Sequence, residues 1–275
     1  MIAPFPLDWL ERKPYNELAV ALRRALAQCQ AWPEPAQYDE LAALVPRALD
    51  VTLPRFVTQS RVALERAGGY EPHVAQLSAV PTRPGHWHDF FNMIVWAHFP
   101  KLRWALNQLH VDPQVGPKDP RNGRAPAQNL AATFDETGVL IVSSSQSVLD
   151  DLRGLLFKRV FWDRRDELLA TTRFWVIGHG LLESLLAPPP GLAARALLVH
   201  RPQLASDETS DAVRHELDAL VAGRIRGWRT SRSVLDPLPV LAIPGYACND
   251  FAEFYEDRRQ IRFEPRSRRP LGSPT

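Results

Sequence analysis

The segment from Trp87 to Phe99 restricts the fold more than any other, because it carries large apolar side chains around most of its circumference. Successive residues of a helix rotate by about 100°, which gives this segment one broad side suited to a protein core. The members of that side are Trp87, Phe90, Phe91, Ile94, Val95 and His98. The apolar stretch is shorter than the roughly 20 residues that a membrane span requires. The pattern therefore predicts a core helix that ends at Pro100, in a soluble protein without a membrane segment.

A second side of the same predicted helix carries polar groups among aromatic ones. His88, Asp89 and Asn92 fall within about 100° of each other, and Trp96 continues their side. A solvated face would normally continue with Lys, Glu or Arg, so this combination favours a pocket wall. We predict catalytic roles for His88 and Asp89, and substrate contacts for Asn92 and Trp96. The alternative is structural, with Asp89 capping the helix and the other two side chains forming local hydrogen bonds.

A second polar cluster is predicted at the start of a later helix. Gly178 ends a β-rich segment, and His179 and Glu183 follow it four residues apart, so both side chains lie on one helical face. Such a pair can share a metal ion, a water molecule or a proton. We predict that both residues are catalytic and that they are metal ligands, with a divalent ion as the cofactor. The alternative is a local histidine–glutamate hydrogen bond near the helix N-terminus.

Asp135 and Glu136 form an acidic pair that ends in Gly138. The segments Ala131–Phe134 and Val139–Val142 on either side are β-rich, so the pair is predicted to lie in a hairpin turn. The alternative is that the two carboxylates take part in general acid–base catalysis.

The composition excludes some classes of partner. The chain of 275 residues has 33 Lys and Arg against 31 Asp and Glu, a net charge of +2, which argues against non-specific binding to nucleic acid. Its two cysteines, Cys29 and Cys248, lack the spacing of a thiolate metal site. Because no charged leader precedes an apolar stretch at the N-terminus, we expect a cytoplasmic protein.

The order of the predicted elements favours an α+β fold, because helices come first and mixed elements follow. We expect a single domain over residues 1–265, with a helical part at about 14–110 packed on a mixed part at about 127–265 that holds a small, largely antiparallel sheet. Residues 266–275 are predicted to be a disordered tail. The segment Asp112–Pro126 is rich in proline and glycine and is the one candidate for a domain boundary in the sequence.

Several segments together resemble an uncharacterised bacterial domain-of-unknown-function family, over about residues 70–266. The segments that carry the resemblance are Tyr70-Glu71-Pro72, Pro81-Thr82-Arg83, the WHDFFN motif at Trp87–Asn92, Phe99-Pro100 with Ala105-Leu106-Asn107, Phe134–Gly138, Gly178-His179 with Leu182-Glu183, Leu238-Pro239-Val240 with Ile243-Pro244-Gly245, Phe254-Tyr255, and Arg262-Phe263 with Pro265-Arg266. Tyr246 departs from the family pattern, which has tryptophan there. The resemblance implies one shared architecture for these polar segments and no particular activity.

Two functions are compatible with these features. The first is a metal-assisted or acid–base hydrolase for a small or phosphorylated substrate, with Arg83 as an anion clamp. A narrower version, a histidine–aspartate phosphohydrolase with His73 as an upstream histidine, fits the aromatic residues after Asp89 poorly. The second is a non-enzymatic small-molecule or peptide binding protein with an aromatic pocket formed by Trp87, Trp96 and Trp175. Close approach of the two polar clusters in an accessible cleft would favour the enzyme.

Overall fold

The computed structural model describes residues 5–121, 123–204, 211–229 and 234–263, and these residues have the predicted α+β architecture. The tail predicted at 266–275 lies outside the described residues. The helices are α1 (Val20–Leu26), α2 (Pro35–Ala43), α3 (Arg61–Ala67), α4 (Tyr70–Leu77), α5 (Trp87–His98), α6 (Pro100–Val111), α7 (Pro126–Thr137), α8 (Gln146–Arg153), α9 (Arg165–Thr171), α10 (His179–Ser184) and α11 (Asp211–Arg226). The strands are β1 (Arg55–Thr58), β2 (Ala79–Thr82), β3 (Gly138–Ser143), β4 (Thr172–Val176), β5 (Ala193–His200) and β6 (Asp236–Pro239).

The chain divides into two compact units, and each is discontinuous in sequence. The first comprises Met1–Gly138, Val176–Ala187 and Thr209–Val234, and the second comprises Val139–Trp175, Pro188–Glu208 and Leu235–Thr275. The first change of unit therefore follows α7 and does not occur in the loop 112–126. None of the described helices is both long enough and apolar enough to cross a bilayer.

Helix α5 forms the centre of the first unit, as the apolar pattern predicts. Every residue from Asp89 to His98 is buried, and the helix contacts α2, α6 and α10. Trp87 begins an aromatic cluster, in which its ring stacks on Phe91 at 5.3 Å and meets Trp9 edge-on at 5.5 Å. Aromatic rings bury large apolar areas, and edge-on and offset pairs contribute beyond that burial. This cluster holds the N-terminal end of α5 in place.

The junction between α5 and α6 is stabilised from α11. The N-terminal N–H groups of a helix lack partners within the helix, and Pro100 occupies the first position of α6. Asp218 of α11 accepts hydrogen bonds from the backbone N–H groups of Lys101 at 3.0 Å and Leu102 at 2.8 Å. Burial raises the pKa of Asp218 to about 6, although these N–H groups act in the opposite direction. A distant aspartate thus caps the helix.

The strand and turn predicted at 131–138 are wrong, because residues 131–137 belong to α7 and Gly138 begins β3. Pro126 occupies the first turn of α7, and the Gln128 side chain accepts the backbone N–H of Ala125 at 2.9 Å. Ala127, Ala131 and Phe134 are buried at helical spacing. Residues 131–134 alone are too few to distinguish a helix from a strand. The features that indicate a helix, Pro126 and the Gln128 side chain, lie before them. The predicted strand at 139–142 is confirmed as β3.

The two sheets are small, and both parallel and antiparallel pairing occur in the structure. In the first unit, β1 and β2 form a parallel pair in which Phe56 lies opposite Val80. In the second unit, four strands have the order β4-β3-β5-β6, and β5 and β6 are antiparallel, with Ala194 opposite Leu238. All residues of β3 are buried, which agrees with its continuous apolar sequence.

Replacing Asp218 with alanine removes both acceptors from the first turn of α6. We expect the free energy of unfolding to fall by about 1–2 kcal/mol, as measured by urea denaturation at pH 8, where the carboxylate is ionised. Asp50→Ala is the control, because the Asp50 side chain is exposed and accepts a hydrogen bond from the side chain of Lys101, not from a backbone N–H of α6. A cost for the control as large as that for Asp218→Ala would contradict the capping role.

Candidate functional site

The two polar clusters predicted from sequence meet in the first unit. His88 lies in the first turn of α5 and His179 is the first residue of α10. Their Nε2 atoms are 3.0 Å apart, and the ring centroids are separated by 4.3 Å. Contact between α5 and α10 therefore joins two segments that are 91 residues apart in sequence.

Glu136 is the third member of this cluster, although the sequence pattern predicts that it lies in a turn. Its Oε2 atom lies 3.6 Å from Nε2 of His179 and 4.0 Å from Nε2 of His88. Donor atoms of His88, Glu136 and His179 lie within 4.8 Å of one another, which is compatible with a shared metal ion. A helix over residues 126–137 places Asp135 and Glu136 together in its last turn. The sequence signal for Glu136 is therefore an acidic pair at a helix end.

Carboxylates also face the outer nitrogens of both rings. Nδ1 of His88 lies 3.3 Å from Oε2 of Glu183, and Nδ1 of His179 lies 3.8 Å from Oδ1 of Asp135. A carboxylate accepts hydrogen bonds, so Glu183 favours the tautomer of His88 that carries the proton on Nδ1. Asp135 is too far from His179 for a hydrogen bond and acts on that ring through its charge. When both rings carry the proton on Nδ1, the two Nε2 lone pairs are directed at each other and at Glu136.

Burial is the main reason that His179 remains neutral. It lowers the pKa of His179 well below the ordinary histidine value, and the positive charges of Arg103 and of His88, when protonated, act in the same direction. A neutral imidazole is the form that binds metal ions.

Two glycines allow α10 to approach α7 closely. A Cβ atom on Gly178 would lie 2.5 Å from the backbone oxygen of Glu136, and a Cβ on Gly180 would lie 2.0 Å from its Oε1 atom. A side chain at position 178 would collide with backbone atoms, and one at position 180 would displace the Glu136 carboxylate from the cluster. The glycines on either side of His179 therefore let Glu136 reach the cluster.

Both carboxylate oxygens of Asp89 accept hydrogen bonds from Arg83. The carboxylate accepts the backbone N–H of Arg83 at 2.6 Å and two guanidinium bonds at 2.9 and 2.8 Å. Burial by itself would raise the pKa of Asp89, but the bonds and charge of Arg83 outweigh it and hold the pKa below its ordinary value. The carboxylate thus holds Arg83 at the edge of the site, and its oxygens are committed to that contact.

Asn92 and Trp96 both contact the buried side chain of Arg103. The guanidinium of Arg103 donates to Oδ1 of Asn92 at 2.8 Å, lies 5.0 Å from the centre of the Trp96 ring, and forms an ion pair with Asp135. Trp96 is buried beneath Arg103, whereas Asn92 reaches the cavity beside it.

The cluster opens into a cavity of about 900 Å³ in the same unit. Its wall includes His88, Glu136 and His179 together with Tyr70, Arg83, Asn92, Arg103 and Arg124. Among the described residues, Tyr70 is the one Phe, Tyr or Trp side chain on this wall. Glu183 stands behind His88 and does not form part of the wall.

The remaining predicted residues are not brought to the cluster. His73 is buried, and its Nδ1 atom lies 3.1 Å from the backbone oxygen of Ala79. Trp87 packs in the aromatic cluster at the start of α5, and Trp175 lies on β4. No ion pair joins His179 to Glu183 among the described residues, so the spacing of four residues does not create the predicted local pair. Instead Glu183 contacts His88.

One family of known proteins matches the chain. A family model described as "Protein of unknown function (DUF3025)" matches residues 54–266, a range that contains every residue of the cluster. The resemblance to a domain-of-unknown-function family is thereby confirmed, and a bacterial origin stays a prediction. No curated protein and no solved structure matches the chain.

Replacing Asp135 with alanine leaves the guanidinium of Arg103 buried without its carboxylate. Breaking one partner of a buried ion pair is strongly destabilising, so we expect the free energy of unfolding to fall by about 3 kcal/mol in urea denaturation. The matched control is Asp150→Ala, because the Asp150–Arg153 pair is exposed. Equal stabilities of the two variants would show that the Arg103–Asp135 pair does not stabilise the fold.

Proposed function

We propose that this chain, which belongs to the family described as Protein of unknown function (DUF3025), is a metal-dependent hydrolase. The supporting observation is the convergence of three electron-pair donors, namely Nε2 of His88, Nε2 of His179 and a carboxylate oxygen of Glu136. In the tautomers that a shared metal ion requires, with both ring protons on Nδ1, these donors would repel one another without a cation between them. A divalent metal ion satisfies all three.

The distances support this interpretation. Two ligands that each lie about 2.0–2.1 Å from a tetrahedral zinc ion are about 3.3 Å apart. The two imidazole nitrogens are separated by 3.0 Å, and Glu136 Oε2 lies 3.6 and 4.0 Å from them. A small inward movement of the half-exposed Glu136 would complete the site. Asp135 and Glu183 would act as outer carboxylates that orient the two rings, a common arrangement around metal-bound histidines.

Three protein ligands leave coordination positions free for water and substrate, which is typical of catalytic metal sites. The ion would lower the pKa of a bound water molecule and polarise a substrate oxygen. The polar wall of the cavity supports hydrolysis of a small polar substrate. The two polar clusters meet in a cavity, which is the arrangement that favours an enzyme over a binding protein.

The alternative of a non-enzymatic protein with an aromatic pocket has less support. Trp87 and Trp96 are committed to internal packing, and Tyr70 is the one aromatic side chain described on the cavity wall. A ligand in this cavity would meet mainly charged and amide groups.

We expect the purified protein to bind about one divalent metal ion per chain, measured by elemental analysis after incubation with zinc or manganese and removal of excess ion. His88→Ala, His179→Ala and Glu136→Gln each remove a ligand and should abolish stoichiometric binding. Glu183→Gln changes only an outer contact and should weaken affinity about 10- to 100-fold. Full occupancy in the His179→Ala or Glu136→Gln variant would contradict the site.

The hydrolase itself is tested with a panel of phosphate, carboxylate ester and amide substrates. We expect turnover of at least one class that a chelator abolishes and the metal ion restores in the wild type but not in Glu136→Gln. Turnover that is insensitive to chelation would contradict metal dependence, and consumption of oxygen with ferrous iron would instead indicate an oxygenase built on the same ligands.

A further inference from the structure

A chain of hydrogen bonds leads from Arg103 to the wall of the cavity. Arg103 donates from Nη2 to Oδ1 of Asn92 at 2.8 Å, and Nδ2 of Asn92 donates to the hydroxyl of Tyr70 at 2.8 Å. All three residues line the cavity that also contains His88, Glu136 and His179.

The direction of this chain is set by Arg103, since a guanidinium only donates hydrogen bonds. It must therefore face the carbonyl oxygen of Asn92, and the amide orientation cannot reverse. The NH₂ group of Asn92 then faces Tyr70, whose hydroxyl oxygen accepts. The hydroxyl proton of Tyr70 must consequently point away from Asn92.

The Tyr70 proton is available to a ligand. Burial is the largest cause that raises the pKa of Tyr70, to about 12, so the hydroxyl stays protonated at neutral pH. In the described part of the chain, its one hydrogen bond is that with Asn92. Because Tyr70 lies on the cavity wall, a bound molecule can supply the missing acceptor.

The wall around Tyr70 carries charges of both signs, and its carboxylates are Glu71, Asp89, Asp135 and Glu136. Arg103 and Arg83 are both close enough to Tyr70 to interact with it electrostatically. Arg124 adds a third cation to the same wall. The three arginines do not outnumber these carboxylates, so the wall favours an anionic acceptor when a divalent ion at the histidines adds its two positive charges.

We infer that Tyr70 donates a hydrogen bond to an oxyanion of the substrate, a phosphoryl or carboxylate oxygen, while the substrate lies beside the metal ion. This inference rests on the proposed function, since it places the oxyanion at the proposed metal site. Tyr70 is then a substrate-binding residue. Asn92 and Arg103 are positioning residues, because their hydrogen bonds direct the hydroxyl proton of Tyr70 toward the cavity.

The test uses isothermal titration of the full-length, metal-loaded protein with inorganic phosphate and, separately, with acetate. Tyr70→Phe removes the donor. Asn92→Asp keeps the hydroxyl but replaces the amide donor with an acceptor, which draws the Tyr70 proton away from the cavity. Tyr38→Phe is the matched control, because Tyr38 is buried and does not line this cavity.

We expect Tyr70→Phe and Asn92→Asp to weaken binding of the preferred anion about 10- to 100-fold, and the control to bind as the wild type does. Metal affinity, titrated with zinc alone, should change less than about twofold in all three variants, because none removes a metal ligand. Preference for phosphate over acetate, or the reverse, identifies which oxyanion the site takes.

Two results would overturn the inference: binding of neither anion to the metal-loaded wild type, or unchanged affinity in folded Tyr70→Phe. Failure of the proposed function has a different signature, since the wild type would then bind no zinc. If the metal-free protein still bound phosphate and lost it in Tyr70→Phe, the donor role would be supported without the metal. Circular dichroism verifies that each variant is folded.

Discussion

The buried guanidinium of Arg103 is the interaction on which the rest of the site depends. It connects the ion pair with Asp135, the hydrogen bond to Asn92 and the contact with the Trp96 ring. A charge in the protein interior is costly unless it is paired and its donors are used. These partners come from α5 and from the end of α7, so satisfying Arg103 requires both helices to be in place.

The same requirement positions the metal-binding residues that we propose. Asp135 faces Nδ1 of His179 as well as Arg103, and its neighbour Glu136 reaches the imidazole nitrogens. Lack of side chains at Gly178 and Gly180 makes room for this approach. The cap that Asp218 provides to α6 supports the helix that carries Arg103. Packing, charge and proposed chemistry thus depend on the same few contacts.

Part of the site could be predicted from the sequence, and the rest could not, for identifiable reasons. His88 and Asn92 were predicted because an imidazole and an amide among aromatic residues are unusual for a solvated helix face. His179 was predicted because it follows Gly178 at the start of a helix, four residues before Glu183. Glu136 was missed because a window of four residues cannot distinguish a short strand from one side of a helix. The predicted partnership of Glu183 with His179 followed from spacing alone, and the structure instead directs Glu183 to His88.

Local patterns by themselves determined the α+β class, the buried helix α5 and the polar side of that helix, because periodicity and proline positions act over a few residues. Tertiary structure alone decided which polar residues meet. His88, Glu136 and His179 lie on three helices far apart in sequence, and no local signal encodes the distance between them. The direction of the Tyr70 hydroxyl proton was likewise set only by folding, because it depends on a guanidinium that another helix brings to Asn92.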